Sequence, residues 1–196
     1  MRRRTIFFYI CTLNAQLMVK AFKPYDIQFV GLKIGHHEFA YDIDSTFFEA
    51  FDYAEFNDAA LKAHVFLDKK TTILDFKFEV SGLVNVNCDV TNEPFDLSVQ
   101  GQFELVVNFG EEFNDDNESI LILPHGSFEM NVAQYIFELI VLSIPAKREH
   151  PGIKDGTLNS DILSKLEELN PNNSRYDQDH EVDPRWEGLK NLLTDN

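Results

Sequence analysis

The run Ile73-Leu74-Asp75-Phe76-Lys77-Phe78-Glu79-Val80-Ser81-Gly82-Leu83-Val84-Asn85-Val86-Asn87-Cys88 decides the fold. Leu74, Phe76, Phe78 and Val80 alternate with Asp75, Lys77 and Glu79, and Val84, Val86, Cys88 and Val90 alternate with Asn85, Asn87 and Asp89. A period of two puts the apolar set on one face of a strand and the polar set on the other, the pattern of an antiparallel sheet covered on one side. Ser81-Gly82 and Thr91-Asn92-Glu93-Pro94 supply turn residues, so 71–109 reads as a three-stranded meander whose last strand is 95–109. Gly101 falls on the apolar face of that last strand and suggests a bulge or bend that lets the sheet curl.

Working outward, Leu61, Ala63, Val65 and Leu67 oppose Lys62, His64 and Asp68 in another one-sided strand. Upstream, 27–34 and 39–43 read as a hairpin around Gly35, and Asp44-Ser45 caps a short helix that reaches Phe51. Downstream, 111–118 is an acidic Asn/Asp-rich loop, 120–123 a short strand and Pro124-His125-Gly126 a turn. Asn131 then caps an apolar segment, 132–144, that stops before Pro145 and reads as a buried helix. Beyond it come a polar stretch to 156, a charged helix at 160–169 and a polar linker. In the tail Asp183 can cap and Pro184 open a helix that carries Trp186, Leu189 and Leu193 on one stripe. The expected architecture is α+β: a curved, mostly antiparallel, barrel-like β-sheet with a buried helix and a C-terminal helical tail. Its divisions are an N-terminal extension at 1–17, a β-rich core at 18–145, and a linker with helical tail at 146–196.

Composition agrees with a packed, acidic globular chain. The 196 residues are 44% hydrophobic, enough for a core, and 18 of them are Phe against a single Trp, which favours strands. There are 33 acidic and 17 basic side chains, a formal charge of -16. Four of the basic ones, Arg2, Arg3, Arg4 and Lys20, fall in the first twenty residues, and every later section is net negative. Gripping nucleic acid takes a field of Lys and Arg that displaces counterions from phosphates, so this chain is ill suited to extensive direct RNA contact and better suited to a basic protein. Arg2-Arg3-Arg4 followed by apolar 6–13 imitates a secretory leader, but Leu13 spoils the small-residue cleavage pattern and the apolar run is too short to span a bilayer. Met18 offers a second start, so 1–17 reads as an extension and the protein as cytoplasmic, with no membrane association.

The chemistry-bearing patterns are mostly missing. Neither a phosphate-binding glycine loop nor a nucleophile elbow occurs. His36 and His37 point to opposite faces of a strand, and the remaining histidines lack metal-ligand spacing. Asp177, Asp179, Glu181 and Asp183 start like a calcium loop, but Val182 and Gly188 stand where Gly and Glu are needed. A two-carboxylate hydrolase built on 111–118 has no apolar neighbour to split the pKa values of its acids. Cys88 reads as a small core residue, with no basic neighbour in sequence to stabilise a thiolate. The reading is of a protein that is not an enzyme and holds no cofactor and no metal.

Three segments in register resemble the YceD family, the large-ribosomal-RNA-subunit accumulation proteins of bacteria and plastids. Cys88-Asp89-Val90-Thr91-Asn92-Glu93-Pro94-Phe95 is similar to the family's Cys-x-x-Cys-Leu-x-Pro-Phe turn. Glu138-Leu139-Ile140-Val141-Leu142-Ser143-Ile144-Pro145 resembles its Glu-x-Ile-x-Leu-x-Leu-Pro stretch, and Asp183-Pro184-Arg185-Trp186-Glu187-Gly188-Leu189 is close to its Asp-Pro-Arg-Trp-x-x-Leu signature. Thr91 departs from the pattern where a second cysteine is frequent, and 146–182 lacks the cysteines many members carry, so no metal or redox role is carried over.

The resemblance implies a non-enzymatic role in ribosome biogenesis, supporting large-subunit ribosomal RNA processing or accumulation. The charge adds that the partner is a basic ribosomal protein or an RNA-processing factor, with contact to the RNA indirect. Candidate docking residues are Glu111, Glu112, Asp115 and Asp116 in the acidic loop, and Asp183, Pro184, Arg185, Trp186 and Leu189 in the tail; Cys88, Pro94 and Phe95 mark the family turn. For Trp186 and Arg185, anchoring the tail to its own domain and anchoring a partner remain equal alternatives. A small-molecule carrier formed by a curled sheet, or a general protein-interaction module, is the competing reading.

Overall fold

A computed structural model describes residues 21–117, 119–158 and 161–169. The chain forms two compact units, 1–150 and 151–196. In the first, the described strands are β1 (Asp26–Ile27), β2 (Gly35–Asp44), β3 (Asp58–Lys69), β4 (Ile73–Asn87), β5 (Pro94–Gly110), β6 (Asn114–Asn117), β7 (Ile120–Pro124) and β8 (Met130–Asn131). Its α-helices are α1 (Ser45–Ala50) and α2 (Ala133–Leu142). The second unit contributes α3 (Pro151–Lys154) and α4 (Asp161–Glu168), the latter close to the expected 160–169.

Six strands build one sheet in the order β2-β3-β4-β5-β7-β6. All neighbours are antiparallel except β5 and β7, which run parallel. The fold class is α+β, but the sheet is open: β2 and β6 are its two edges and do not pair with each other, so the expected barrel-like closure is not there. β1 and β8 make a separate two-stranded ladder.

Ser81-Gly82 is not a turn. β4 runs unbroken through both residues, pairing along its length with β3 and β5, and the expected three-stranded meander is a long β4–β5 hairpin. The phase of the apolar residues explains why. Residues directly opposite across a strand pair share a face, so a two-residue turn at 81–82 would set Val80 beside Leu83 and bring Asn85 and Asn87 onto the core face. Continuing straight keeps Leu74, Phe76, Phe78, Val80, Val84 and Val86 on one face, and all six are buried. The hairpin expected around Gly35 is also absent. Only Asp26–Ile27 is strand there, paired with β8, while β2 starts at Gly35 and pairs with β3.

The core lies between one face of the sheet and the two longer helices of this unit. Asp44 caps α1 by accepting a hydrogen bond from the Thr46 N–H at 3.0 Å, as its position before the helix implies. The helix drives Phe47 and Phe48 inward. Phe48 meets Phe56 edge to face at 4.8 Å between ring centroids, and Phe51 stacks on Phe137 of α2 at 4.3 Å. Burying a side chain such as Phe48 contributes about 1.5–3 kcal/mol. The N-cap of α2 is Val132 rather than the expected Asn131, which lies in β8 one residue ahead and accepts from the Ala133 N–H at 3.0 Å. α2 packs Ala133, Ile136, Leu139 and Ile140 against β4 and β5, at helical spacing. It is not buried all round, since Leu142 is 83% exposed.

Gly101 serves this packing rather than a curl. A Cβ there would lie 2.0 Å from Ser143 Oγ and 3.1 Å from Leu139 Cδ1, so the missing side chain is what lets the end of α2 lie close to β5.

Candidate interaction surface

The turn that joins β4 to β5 is built around Cys88. Its backbone N–H donates to the Glu93 carbonyl at 2.9 Å and its carbonyl accepts from the Asn92 N–H at 2.8 Å. Asn92 takes the left-handed conformation, φ 60°, that Asn tolerates better than most residues. Cys88 lies one residue past the end of β4 and is buried, as its place in the apolar phase implies. Burial alone would raise its thiol pKa. The hydrogen bonds to the sulfur from the Thr91 hydroxyl and from the backbone N–H groups of His150, Thr91 and Val90 outweigh it, and the pKa falls below the ordinary thiol value. The lowering comes from hydrogen-bond donors around a buried core residue, and no basic side chain is among its causes.

A second segment holds this turn in place. The Asp89 N–H donates to the Arg148 carbonyl at 2.8 Å, and the Arg148 N–H donates to Asp89 Oδ2 at 2.6 Å. The Arg148 guanidinium reaches Asp89 at 3.3 Å and Glu55 at 3.7 Å. The His150 N–H approaches Cys88 Sγ at 3.3 Å while its ring meets Phe95 edge-on at 5.5 Å. Phe95 is buried and Pro94 exposed at the first position of β5, where a missing N–H is tolerated. Cys88 and Phe95 are thus structural members of one clasped turn. Sequence reasoning missed Arg148 and His150, which stand about sixty positions away with no pattern to tie them to it.

The acidic residues stand elsewhere. Glu111 and Glu112 are exposed just after β5, and Asp115 and Asp116 lie exposed in β6. Part of the expected loop is therefore an edge strand, paired with β7. Asn114 Oδ1 accepts from the Asp116 N–H at 3.1 Å and Asn117 Oδ1 from the Ser119 N–H at 2.9 Å, so the amides shape the bend, and the Asn114 side-chain N–H also donates to Asp116 Oδ2 at 2.9 Å. The turn and the acidic group sit at opposite ends of the 17-residue β5, about 50 Å apart along a strand rising about 3.3 Å per residue. They do not form one site. Asp183, Pro184, Arg185, Trp186 and Leu189 lie outside the described residues, as does the 1–17 extension. Among the described residues no group of three or more His, Cys, Asp or Glu side chains is placed to hold a metal ion, and no helix is long and apolar enough to cross a membrane.

A family model described as "Large ribosomal RNA subunit accumulation protein YceD" matches residues 76–193, most of β4 through the Asp-Pro-Arg-Trp segment. The chain belongs to the YceD family. The part of YceD matched here takes in the whole β4–β5 hairpin from Phe76, the Cys88 turn, α2 and the segment that clasps the turn. β2, α1 and β3, which complete the sheet and its aromatic core, lie before the matched region. At the turn of this YceD chain the Thr91 hydroxyl is buried against the Cys88 sulfur, in the place where a second cysteine is frequent. Membership ties the protein to accumulation of large-subunit ribosomal RNA. No match was found among curated proteins or among solved structures.

Proposed function

We propose that this YceD protein is a non-enzymatic accessory factor of large-subunit assembly, working in the cytoplasm, which promotes ribosomal RNA processing or accumulation by holding a basic ribosomal protein or processing factor. The family match over 76–193 carries the ribosomal half of this reading. The charge of -16 supports the other half, since such a surface repels phosphates and attracts Lys- and Arg-rich protein. A carrier role draws no support from the fold. The sheet is open, and the space between it and the helices is filled by side chains such as Phe48, Phe76 and Phe78.

Co-sedimentation tests the proposal. The protein is expected to travel with large-subunit precursors through a sucrose gradient at low and moderate salt. Recovery only as free protein under both conditions would overturn it.

A further inference from the structure

Among the described residues of the first unit, α1 and α2 cover one face of the six-stranded sheet and no element covers the other, the bare face. The bare face is built from the residues that alternate with the core: His36, Glu38 and Asp42 on β2, Lys62, His64, Phe66 and Asp68 on β3, Asp75, Lys77 and Glu79 on β4, and Gln100, Gln102, Glu104 and Val106 on β5. Toward one end it holds a shallow depression of about 690 Å³. Phe66 and Val106 give this depression an apolar floor, and four carboxylates, Glu38, Asp68, Asp75 and Glu104, surround it.

Among the described residues the cations balance them only in part. Lys77 is the lysine lining the depression; its ammonium meets Glu79 at 2.8 Å outside it and attracts Glu104 more weakly. Asp75 is met by Lys70. Asp68 and Glu38 are met by the rings of His36, at 3.3 Å, and His64, at 3.1 Å, contacts that carry opposite charges only when those rings are protonated. A half-apolar strip with an unbalanced carboxylate rim suits the side chains of Lys and Arg, whose methylene stems cover apolar surface while their charged heads reach acids beside it. Phosphate-bearing ligands are repelled by the same rim.

We infer that this bare face, centred on Phe66 and Val106, is where the protein seats a Lys/Arg-rich segment of its protein partner. The inference rests on the proposed basic partner and moves its docking site from the acidic residues 111–116 to the sheet. Those residues stand on a bend and an edge strand with a single exposed aromatic side chain, Phe113, among their carboxylates, whereas the face sets four acids around an apolar floor on strands paired on both sides or along their length.

The test uses the full chain and three probes: a ten-residue peptide alternating Lys or Arg with Leu, its Glu counterpart, and a ten-nucleotide single-stranded RNA. Binding is followed by fluorescence anisotropy, in wild type, in a face variant (Glu38→Gln, Asp68→Asn, Glu104→Gln) and in a control of equal charge change (Glu111→Gln, Glu112→Gln, Asp115→Asn). Circular dichroism melts check that both variants fold, which shape-preserving swaps of exposed side chains favour. The expected result is binding of the basic peptide alone, weakened at least ten-fold in the face variant and less than three-fold in the control. Equal weakening in both, greater weakening in the control, or binding of the RNA by wild type would overturn the inference. Gradient sedimentation separates the two levels: if wild type travels with precursors and the face variant travels equally well, the docking site is wrong and the assembly role stands. If wild type does not travel with them, the assembly role itself fails.

Discussion

Replacing Gly82 by Ala should cost this protein a large part of its stability, because β4 is continuous there. Gly82 has φ +152°, a backbone conformation that side chains rarely adopt, and an added Cβ would sit 2.4 Å from the Ala60 carbonyl oxygen and 2.6 Å from Leu61 Cα. Both are backbone atoms of β3, held between β2 and β4, so neither can give way without breaking a ladder. An unfavourable backbone conformation costs about 1–3 kcal/mol and overpacking about 1–3 kcal/mol more. Restricting the unfolded chain returns about 0.4–1 kcal/mol. The net loss is about 1–5.5 kcal/mol, against a total of about 5–15 kcal/mol for a domain. Urea unfolding followed by far-ultraviolet circular dichroism would read this as a midpoint lower by about 0.5–2.8 M at a slope near 2 kcal/mol per M. Ser81→Val is the companion: on a continuous strand it should be neutral or stabilise by up to about 1 kcal/mol, whereas in a turn it would destabilise. A loss below 1 kcal/mol for Gly82→Ala, together with a destabilising Ser81→Val, would refute the continuous strand.

Other perturbations probe the turn, the helix cap and the aromatic core. Thr91→Val removes the hydroxyl that donates to Cys88 Sγ, so the Cys88 thiol should titrate at higher pH, read as thiolate absorbance in a Cys11→Ser background; an unchanged or lower titration would exclude that hydrogen bond. Asp44→Ala should cost about 1 kcal/mol at neutral pH through loss of the cap. The Thr46 hydrogen bonds lower the Asp44 pKa in the folded state, so the carboxylate stabilises the fold above the unfolded pKa and that contribution disappears as pH falls through the folded value. The difference between Asp44→Ala and wild type in urea unfolding should therefore shrink in acid, and a constant difference would contradict the cap. Tyr41 stacks on Tyr25 at 4.9 Å, and burial, with Tyr25 and Asp26 nearby, pushes its pKa up to about 12. Below pH 10 both folded and unfolded Tyr41 are protonated; above it the unfolded form ionises first, so stability should fall between about pH 10 and 12. Tyr41→Phe should flatten that part of the profile, and an equally steep fall in the variant would assign it elsewhere.

How much of this was legible in the sequence depends on the range of the interactions involved. The alternation in β3, β4 and β5 and the cap at Asp44 are local, and reading them along the chain is enough to give an antiparallel sheet packed against helices. The continuity of β4 was also legible, because the even-numbered apolar residues keep one phase across Ser81-Gly82. Turn composition misled there, where phase should have ruled. The parallel placement of β7 beside β5 could not be read in this way, since a five-residue apolar strand carries no signal of direction. Gly101 was recognisable as an exception on an apolar face, but its reason is a helix that approaches from 40 positions away. Around the Cys88 turn, the motif residues were visible while the Arg148 and His150 contacts that secure it were not. The bare acidic face follows from which side the helices cover, a tertiary fact, although its carboxylates stand in plain alternation along β2, β3 and β4.

The central claim, that this YceD protein serves large-subunit assembly through a basic protein, is tested most directly by affinity purification of the tagged full chain from its own cells, with and without ribonuclease. Mass spectrometry and RNA sequencing then identify what is retained. The account expects large-subunit precursor RNA in the untreated sample and a basic ribosomal protein or processing factor that persists after ribonuclease. Loss of every protein partner on ribonuclease treatment would contradict the protein-mediated contact, and recovery of neither large-subunit RNA nor its proteins would contradict the assembly role.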